Sequence, residues 1–219
     1  MSRTFPPDSV RYLKLATFVL AALGVLAVAG VWYYGSPAYA RVGYEPVQPI
    51  RFSHEIHAGR LGLDCTFCHN HVGESPHSNV PSTQTCLNCH GATLGNIKAT
   101  SAALAPLREA EASGRPIAWA RIHKVPEYAY FNHAVHVRRG VSCVSCHGQI
   151  NQMEVVRHVE PLTMSWCLEC HRDPWPRLRP ADKVTDLDWT SEPILTEVFQ
   201  EYMSDVGIRP PQDCSGCHR

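Results

Sequence analysis

Cys65-Thr66-Phe67-Cys68-His69 is the first of five stretches in this 219-residue chain that read C-x-x-C-H. The others are Cys86-Leu87-Asn88-Cys89-His90, Cys143-Val144-Ser145-Cys146-His147, Cys167-Leu168-Glu169-Cys170-His171 and Cys214-Ser215-Gly216-Cys217-His218. Together they use all ten cysteines. In this pattern two thiols add across the vinyl groups of a porphyrin, and the adjoining histidine reaches the iron from one face. The sequence therefore implies five covalently held haem c groups. Their attachment points are Cys65, Cys68, Cys86, Cys89, Cys143, Cys146, Cys167, Cys170, Cys214 and Cys217, and their proximal ligands are His69, His90, His147, His171 and His218.

Zinc is the competing reading, because 17 residues separate Cys68 from Cys86 and 20 separate Cys146 from Cys167, both compatible with four-cysteine zinc sites. Zinc has no need of the histidine after each pair, and five pairs do not divide among four-cysteine sites. A disulfide framework leaves the histidines equally unexplained. A thioredoxin-type CxxC belongs in alternating strands and helices, a pattern this chain lacks.

The formal net charge is zero, so no basic surplus favours nucleic acid or anionic lipid. Within the cations, 16 are Arg and 4 are Lys. Guanidinium forks suit haem propionates, and a GC-rich genome produces the same bias.

Residues 15–34 are 20 residues without a charge, enough at 1.5 Å per residue to cross about 30 Å of hydrocarbon. Arg3, Arg11 and Lys14 precede the run, and Trp32, Tyr33 and Tyr34 close it as an interfacial aromatic belt. This predicts a transmembrane anchor at 15–35, a cytoplasmic N-terminus at 1–14 and an exported domain at 36–219, in a bacterial inner membrane. Ala38-Tyr39-Ala40 offers a signal-peptide cleavage site as the alternative, against which the apolar run is longer than an ordinary signal core. Either route takes the haem region out of the reducing cytoplasm into a compartment where unattached cysteine pairs tend to oxidise.

From residue 41 onward about 179 residues serve five haems, roughly 36 each, too few for a conventional core around every porphyrin. The expected fold is mostly irregular and α-helical with little regular secondary structure, a haem-packed core and one N-terminal transmembrane helix. One soluble helix is predicted over residues 101–113 with Gly114 as its stop. Another is predicted to open at Ser191 as N-cap, with Pro193 in its first turn, and to end before Gly207. It would carry Ile194, Leu195, Val198, Phe199, Tyr202 and Met203 as one apolar stripe.

An internal repeat is also legible. Phe52, His54 and His57 precede Cys65 as Phe131, His133 and His136 precede Cys143, all displaced by the same 79 residues. This divides the exported part into a two-haem module at 50–90, a helix-bearing linker at 91–129, a second two-haem module at 130–171 and a C-terminal segment at 172–219 with the fifth haem.

Thirteen histidines less five proximal ones leave eight. Two histidines on one iron give a low-spin centre suited to electron transfer. His54 with His57 and His133 with His136 are the preferred distal ligands, since i, i+3 spacing on a helical turn lets each pair serve two irons, one just downstream and one neighbouring. His123, close to Trp119, is the fifth choice. His71, His77 and His158 are lesser candidates. Met153 and Met164, before the fourth motif, are the others, where a thioether ligand would raise one potential.

Several stretches resemble one family. They are Gly43-Tyr44, Gln48-Pro49-Ile50, Phe52-Ser53-His54 and His57-Ala58-Gly59; Tyr130-Phe131-Asn132-His133; Met153-Glu154-Val155-Val156; and Leu162-Thr163-Met164 with Trp166-Cys167. Across most of residues 43–172 the chain resembles the pentahaem cytochrome c subunit of alternative complex III, a bacterial quinol oxidoreductase. Its two-haem modules are more broadly similar to class III multihaem cytochromes. The resemblance implies an electron-transfer subunit of a respiratory or photosynthetic chain, without catalytic residues of its own. It implies as partners a large iron-sulfur subunit, polytopic quinol-binding membrane subunits, a monohaem cytochrome c and a periplasmic acceptor. Pentahaem nitrite-reducing enzymes usually place lysine where histidine ends the catalytic motif, and no such motif occurs here. A self-contained tetrahaem-type membrane quinol dehydrogenase, which would feed a periplasmic reductase, shares the single anchor but has four haems.

Overall fold

The computed structural model describes residues 6, 8–36, 38–190, 201, 207 and 209–219. The expected C-terminal helix, including Ser191 and its apolar stripe, lies outside the described residues. Contacts divide the chain into two units, Met1–Val42 and Gly43–Arg219.

The first unit is dominated by helix α1, Ser9–Tyr34. Its 26 residues include an 18-residue stretch of mean hydropathy 2.3 and none is buried, so the helix is long and apolar enough to cross a membrane. It starts six residues before the uncharged run, taking Arg11 and Lys14 onto its first turns, where long cationic side chains extend toward water. Within the span the Thr17 hydroxyl donates to the Leu13 carbonyl at 2.9 Å, which satisfies it without solvent. Tyr33, Tyr34 and Tyr39 pack edge to face, with Tyr34 and Tyr39 ring centres 4.9 Å apart.

The second unit is built from short turns. A π-helical turn spans Glu55–Arg60, and α2, Cys65–Cys68, and α3, Thr83–His90, follow. A 3₁₀ turn at Ala102–Leu104 leads into α4, Ala105–Ser113. Then come α5, His133–Arg138; α6, Val144–His147; α7, Met164–Arg172; and α8, Cys214–Cys217. Further 3₁₀ turns lie at Ile150–Gln152, Trp175–Arg177 and Ala181–Lys183. Among the described residues there is no β-strand; two isolated bridges join Ala129 to His218 and Val141 to Leu178.

Helix α4 matches the reading of 101–113. Pro106 suits a first turn with no amide partner to lose, and Gly114 terminates the helix at φ 66°, a left-handed conformation that glycine adopts freely. Its Leu107, 1% exposed, packs with Leu87 of α3 and Ile50, and Leu104, Ile117 and Trp119 close around them. Beyond this cluster, among the described residues, only Ala99, Ala110, Ala134, Met153, Leu178, Val184 and Leu187 are buried apolar residues, whereas Ile56, Leu61, Phe67, Leu94, Ile97 and Val135 are exposed. Protein side chains alone supply too little buried apolar surface for a unit of this length.

Gly140 needs to be glycine. Its φ is 85°, and a Cβ there would collide with the Arg179 carbonyl. That close approach lets Arg179 N–H donate to the Gly140 carbonyl at 2.8 Å, next to the Val141–Leu178 bridge, and ties the third motif to the segment after the fourth.

Candidate haem sites

Each C-x-x-C lies on a helical turn, where residues three apart share a face. Both thiols therefore emerge on one side, with the histidine immediately after. Three of the turns are capped from in front. Asp64 accepts from Thr66 N–H at 2.8 Å, Thr163 accepts from Trp166 N–H at 3.4 Å, and Asp213 accepts from Gly216 N–H at 2.9 Å. An Asp directly before the first cysteine, at Asp64 and Asp213, is a sequence cue to these caps that the motif alone does not contain.

All ten cysteines are free. Burial raises the thiols of Cys68, Cys86, Cys167 and Cys170 above their ordinary range and takes Cys146 to about 12. Among the described residues no three His, Cys, Asp or Glu side chains converge to hold an ion. The donor set fits haem instead, in which the porphyrin supplies four nitrogens and the protein two.

The histidine rings show how the chain prepares for that role. Nδ1 faces a backbone carbonyl in His57 (Ser53, 2.8 Å), His69 (Asn79, 2.6 Å), His90 (Ile97, 2.6 Å) and His133 (Pro76, 3.0 Å). The same holds for His136 (Asn132, 2.8 Å), His171 (Pro211, 2.7 Å) and His218 (Tyr128, 3.1 Å), and at longer range for His158 (Ile122, 3.5 Å). A carbonyl can only accept, so Nδ1 carries the proton and Nε2 keeps its lone pair for a metal. These partners were invisible to sequence reading because any residue provides a carbonyl.

Two imidazoles on opposite sides of one iron, with metal–nitrogen bonds of about 2 Å, have ring centres about 6 Å apart. His57 and His90 are 6.1 Å apart, His136 and His171 are 6.1 Å apart, and His133 and His147 are 6.5 Å apart with ring planes within 11° of parallel. His54 interacts with His69 and His57, and burial, followed by these two neighbours, lowers its pKa to about 4. The neutral, ligating form is thereby favoured.

The 79-residue repeat is a repeat of geometry. Phe52 lies 4.9 Å from His54 at 86° and 4.4 Å from His57 at 25°, and Phe131 lies 4.7 Å from His133 at 86° and 4.5 Å from His136 at 31°. In each case one aromatic ring fixes two imidazoles in different directions. The two copies also interlock within the second unit. His133 and Ala134 N–H donate to the Pro76 and Ser75 carbonyls at 3.1 and 3.2 Å, and Arg138 Nε donates to the Gly73 carbonyl at 2.6 Å.

Neighbouring cysteines give the adjacency of the motifs. Cys65 lies against Cys143, Cys68 interacts with Cys89, Cys146 with Cys170, and Cys167 with Cys217. The motifs thus succeed one another in space as second, first, third, fourth and fifth.

The remaining candidates are dispersed. His71 is exposed, and its backbone N–H donates to Asn79 Oδ1 at 3.0 Å; His77, also exposed, interacts with His133. His123 and His158 lie beside each other, and His123 lies beside His147; His158 is 2% exposed. Met153 is buried, with its carbonyl accepting from Glu55 N–H at 3.0 Å, and Met164 is 61% exposed. The ring beside His218 is that of Tyr128, at 5.7 Å.

Comparison with known proteins agrees with this donor set. The family described as cytochrome c7 and related cytochrome c matches residues 129–219. The chain is 30% identical over 151 residues to the menaquinone reductase, multihaem cytochrome c subunit, of Nitratidesulfovibrio vulgaris. The match takes in 69% of this chain and 62% of that relative, so the chain spans less than two thirds of its length. By motif, ring geometry and these likenesses, the chain carries a cytochrome c7-like region at 129–219, and haem c is the cofactor this likeness implies.

Proposed function

We propose that this chain is a membrane-anchored pentahaem cytochrome that relays electrons from quinol oxidation to a periplasmic or oxidase-bound acceptor, as the electron-transfer subunit of an alternative-complex-III-like quinol oxidoreductase. The observation that carries the reading is the repeated facing of imidazoles, His57 with His90 and His136 with His171, at the separation one iron requires. In the proposed ligation His54 serves the iron of His69, His57 that of His90, His133 that of His147 and His136 that of His171. Haem supplies one-electron chemistry when bound. The protein's part is to set spacing, ligand orientation and burial. At the four sites where two imidazoles would hold one iron, no coordination position would stay open for substrate. The spatial succession of motifs supports an electron path with the second and fifth motifs at its ends.

The proposed arrangement has α1 as anchor, the N-terminus in the cytoplasm and Gly43–Arg219 on the periplasmic side. The proposed partners are a large iron-sulfur subunit, polytopic quinol-binding membrane subunits and a monohaem cytochrome c.

One observation favours a second reading of direction. The relative is named a menaquinone reductase subunit, and a chain of low-spin haems conducts either way. Rapid-mixing spectroscopy of the detergent-purified assembly tests both. The first reading expects menaquinol to reduce the haems; the second expects dithionite-reduced haems to be reoxidised by menaquinone without net reduction by menaquinol. If the isolated chain reduces an acceptor from quinol unaided, it is a self-contained dehydrogenase and both subunit readings fall.

A further inference from the structure

The residues that stand just before the first and third motifs are tied to two consecutive residues far along the chain. Asp64, directly before Cys65, accepts through Oδ2 from Thr185 Oγ1 at 2.7 Å, across 121 residues. Ser142, directly before Cys143, donates from Oγ to the Val184 carbonyl at 2.8 Å. Cys65 and Cys143 themselves lie against each other. These contacts close a ring that runs from Cys65 through Asp64, Thr185, Val184 and Ser142 to Cys143 and back.

Residues 178–187 form a strap along the third motif. Val141 bridges to Leu178, Arg179 N–H donates to the Gly140 carbonyl at 2.8 Å, and Gln149 Nε2, past the motif's histidine, donates to the Leu187 carbonyl at 3.3 Å. The strap is anchored by its own apolar residues, since Leu178, Val184 and Leu187 are all buried. Ser142 is 1% exposed, so its bond to Val184 is shielded from water, and losing it would leave a buried polar group unsatisfied. At Thr185 the strap reaches across to the first motif. The acceptor there stays ionised: burial alone would raise the Asp64 pKa, but hydrogen bonds from Thr66 and Thr185 outweigh it and hold the pKa below the usual value. A hydroxyl donating to a carboxylate makes a charge-assisted bond, about twice as strong as a neutral one.

We infer that Thr185 is a positioning residue: through Asp64 it clasps the first attachment turn to the third, and so fixes the separation of the first and third haems and the electron crossing between the two repeats. This inference rests on the haem reading proposed above. A thioether bond puts each sulfur on its porphyrin, so haems bonded to Cys65 and Cys143 meet at these two sulfurs. The Ser75 and Pro76 carbonyls join the repeats at α5, whereas the clasp joins them at the cysteines. Setting the distance between cofactors is the protein's share of electron transfer.

The test uses the full haem-loaded chain as wild type and as Thr185→Val, Thr185→Ser, Ser142→Ala and Leu107→Ala. Haem per chain is measured first; a wild-type count other than five sinks the underlying haem reading, independently of the role of Thr185. Low-temperature paramagnetic resonance of the oxidised protein then reads magnetic coupling between neighbouring ferric haems as line broadening. Thr185→Val, which keeps the side-chain shape and removes the hydroxyl, is expected to lose broadening at two haems and to leave the others unchanged. Thr185→Ser, which keeps the donor, should retain the wild-type spectrum. Ser142→Ala opens the ring from its other side and should act on the same two haems; it is the variant read if Thr185→Val fails to mature. Leu107→Ala weakens the fold elsewhere and should leave the coupling as it is, so a loss shared by Leu107→Ala and Thr185→Val would be general loosening and would overturn the inference. An unchanged spectrum in mature Thr185→Val, or in Ser142→Ala where that stands in for it, would overturn it too.

Discussion

The chemistry of each site turns on which ring nitrogen holds the proton. Seven imidazoles direct Nδ1 at a carbonyl within 3.1 Å, among them both members that face each other in the pairs His57/His90 and His136/His171. Replacing His57 or His136 by Ala should therefore leave haem content unchanged and convert one low-spin iron to high spin in the paramagnetic resonance spectrum. His71→Ala, at an exposed ring without such geometry, should leave that spectrum unaltered. The cysteines and proximal histidines were readable because their spacing is the chemistry. The shared geometry of the two Phe-x-His-x-x-His stretches was readable because they recur in register with the motifs. The contact of His123 with His147 was not readable, since a histidine that touches a ligand and one that touches iron look the same in a sequence.

Among the elements, the motif turns are too short to persist alone, and capping has to come from side chains. Asp64 does this twice over, accepting from Thr66 N–H and from Thr185 Oγ1 at 2.7 Å, across 121 residues. Asp64→Ala should cost about 1 kcal/mol and lower the melting temperature by about 2–4 °C, read by thermal unfolding with haem content as control. The α3–α4 contact is the other supporting element. Leu107 is almost wholly enclosed, and Leu107→Ala should cost about 2–5 kcal/mol in the same assay, without a change in the spectrum of any haem. Helix α4 was legible from its apolar spacing and Gly114. The π-helical turn at Glu55–Arg60 was not, because what shapes it is distant: Glu55 N–H bonds to the Met153 carbonyl, and Gly59 passes so close to Asn151 that a Cβ would strike its carbonyl.

At the scale of the whole molecule, a unit of Gly43–Arg219 with few buried apolar side chains has one small hydrophobic cluster and interlocked loops among its described residues. The small protein core was legible in the five motifs over about 179 residues, which predicted little conventional core. The sequence also announced the apolar helix through 20 uncharged residues, although the helix runs on to Ser9 because a helix does not stop where charge begins. The interlocking of the two repeats was beyond sequence reading, since it depends on the loop at Gly73, Ser75 and Pro76 lending carbonyls to α5. The central claim is that five haem c groups form the core of this unit and its electron path. The haem-to-chain ratio of the purified protein, from pyridine haemochrome absorbance against amino-acid analysis, tests it most directly. A ratio of five is expected; a ratio of four or fewer in fully matured protein, or zinc in place of haem iron, would contradict it.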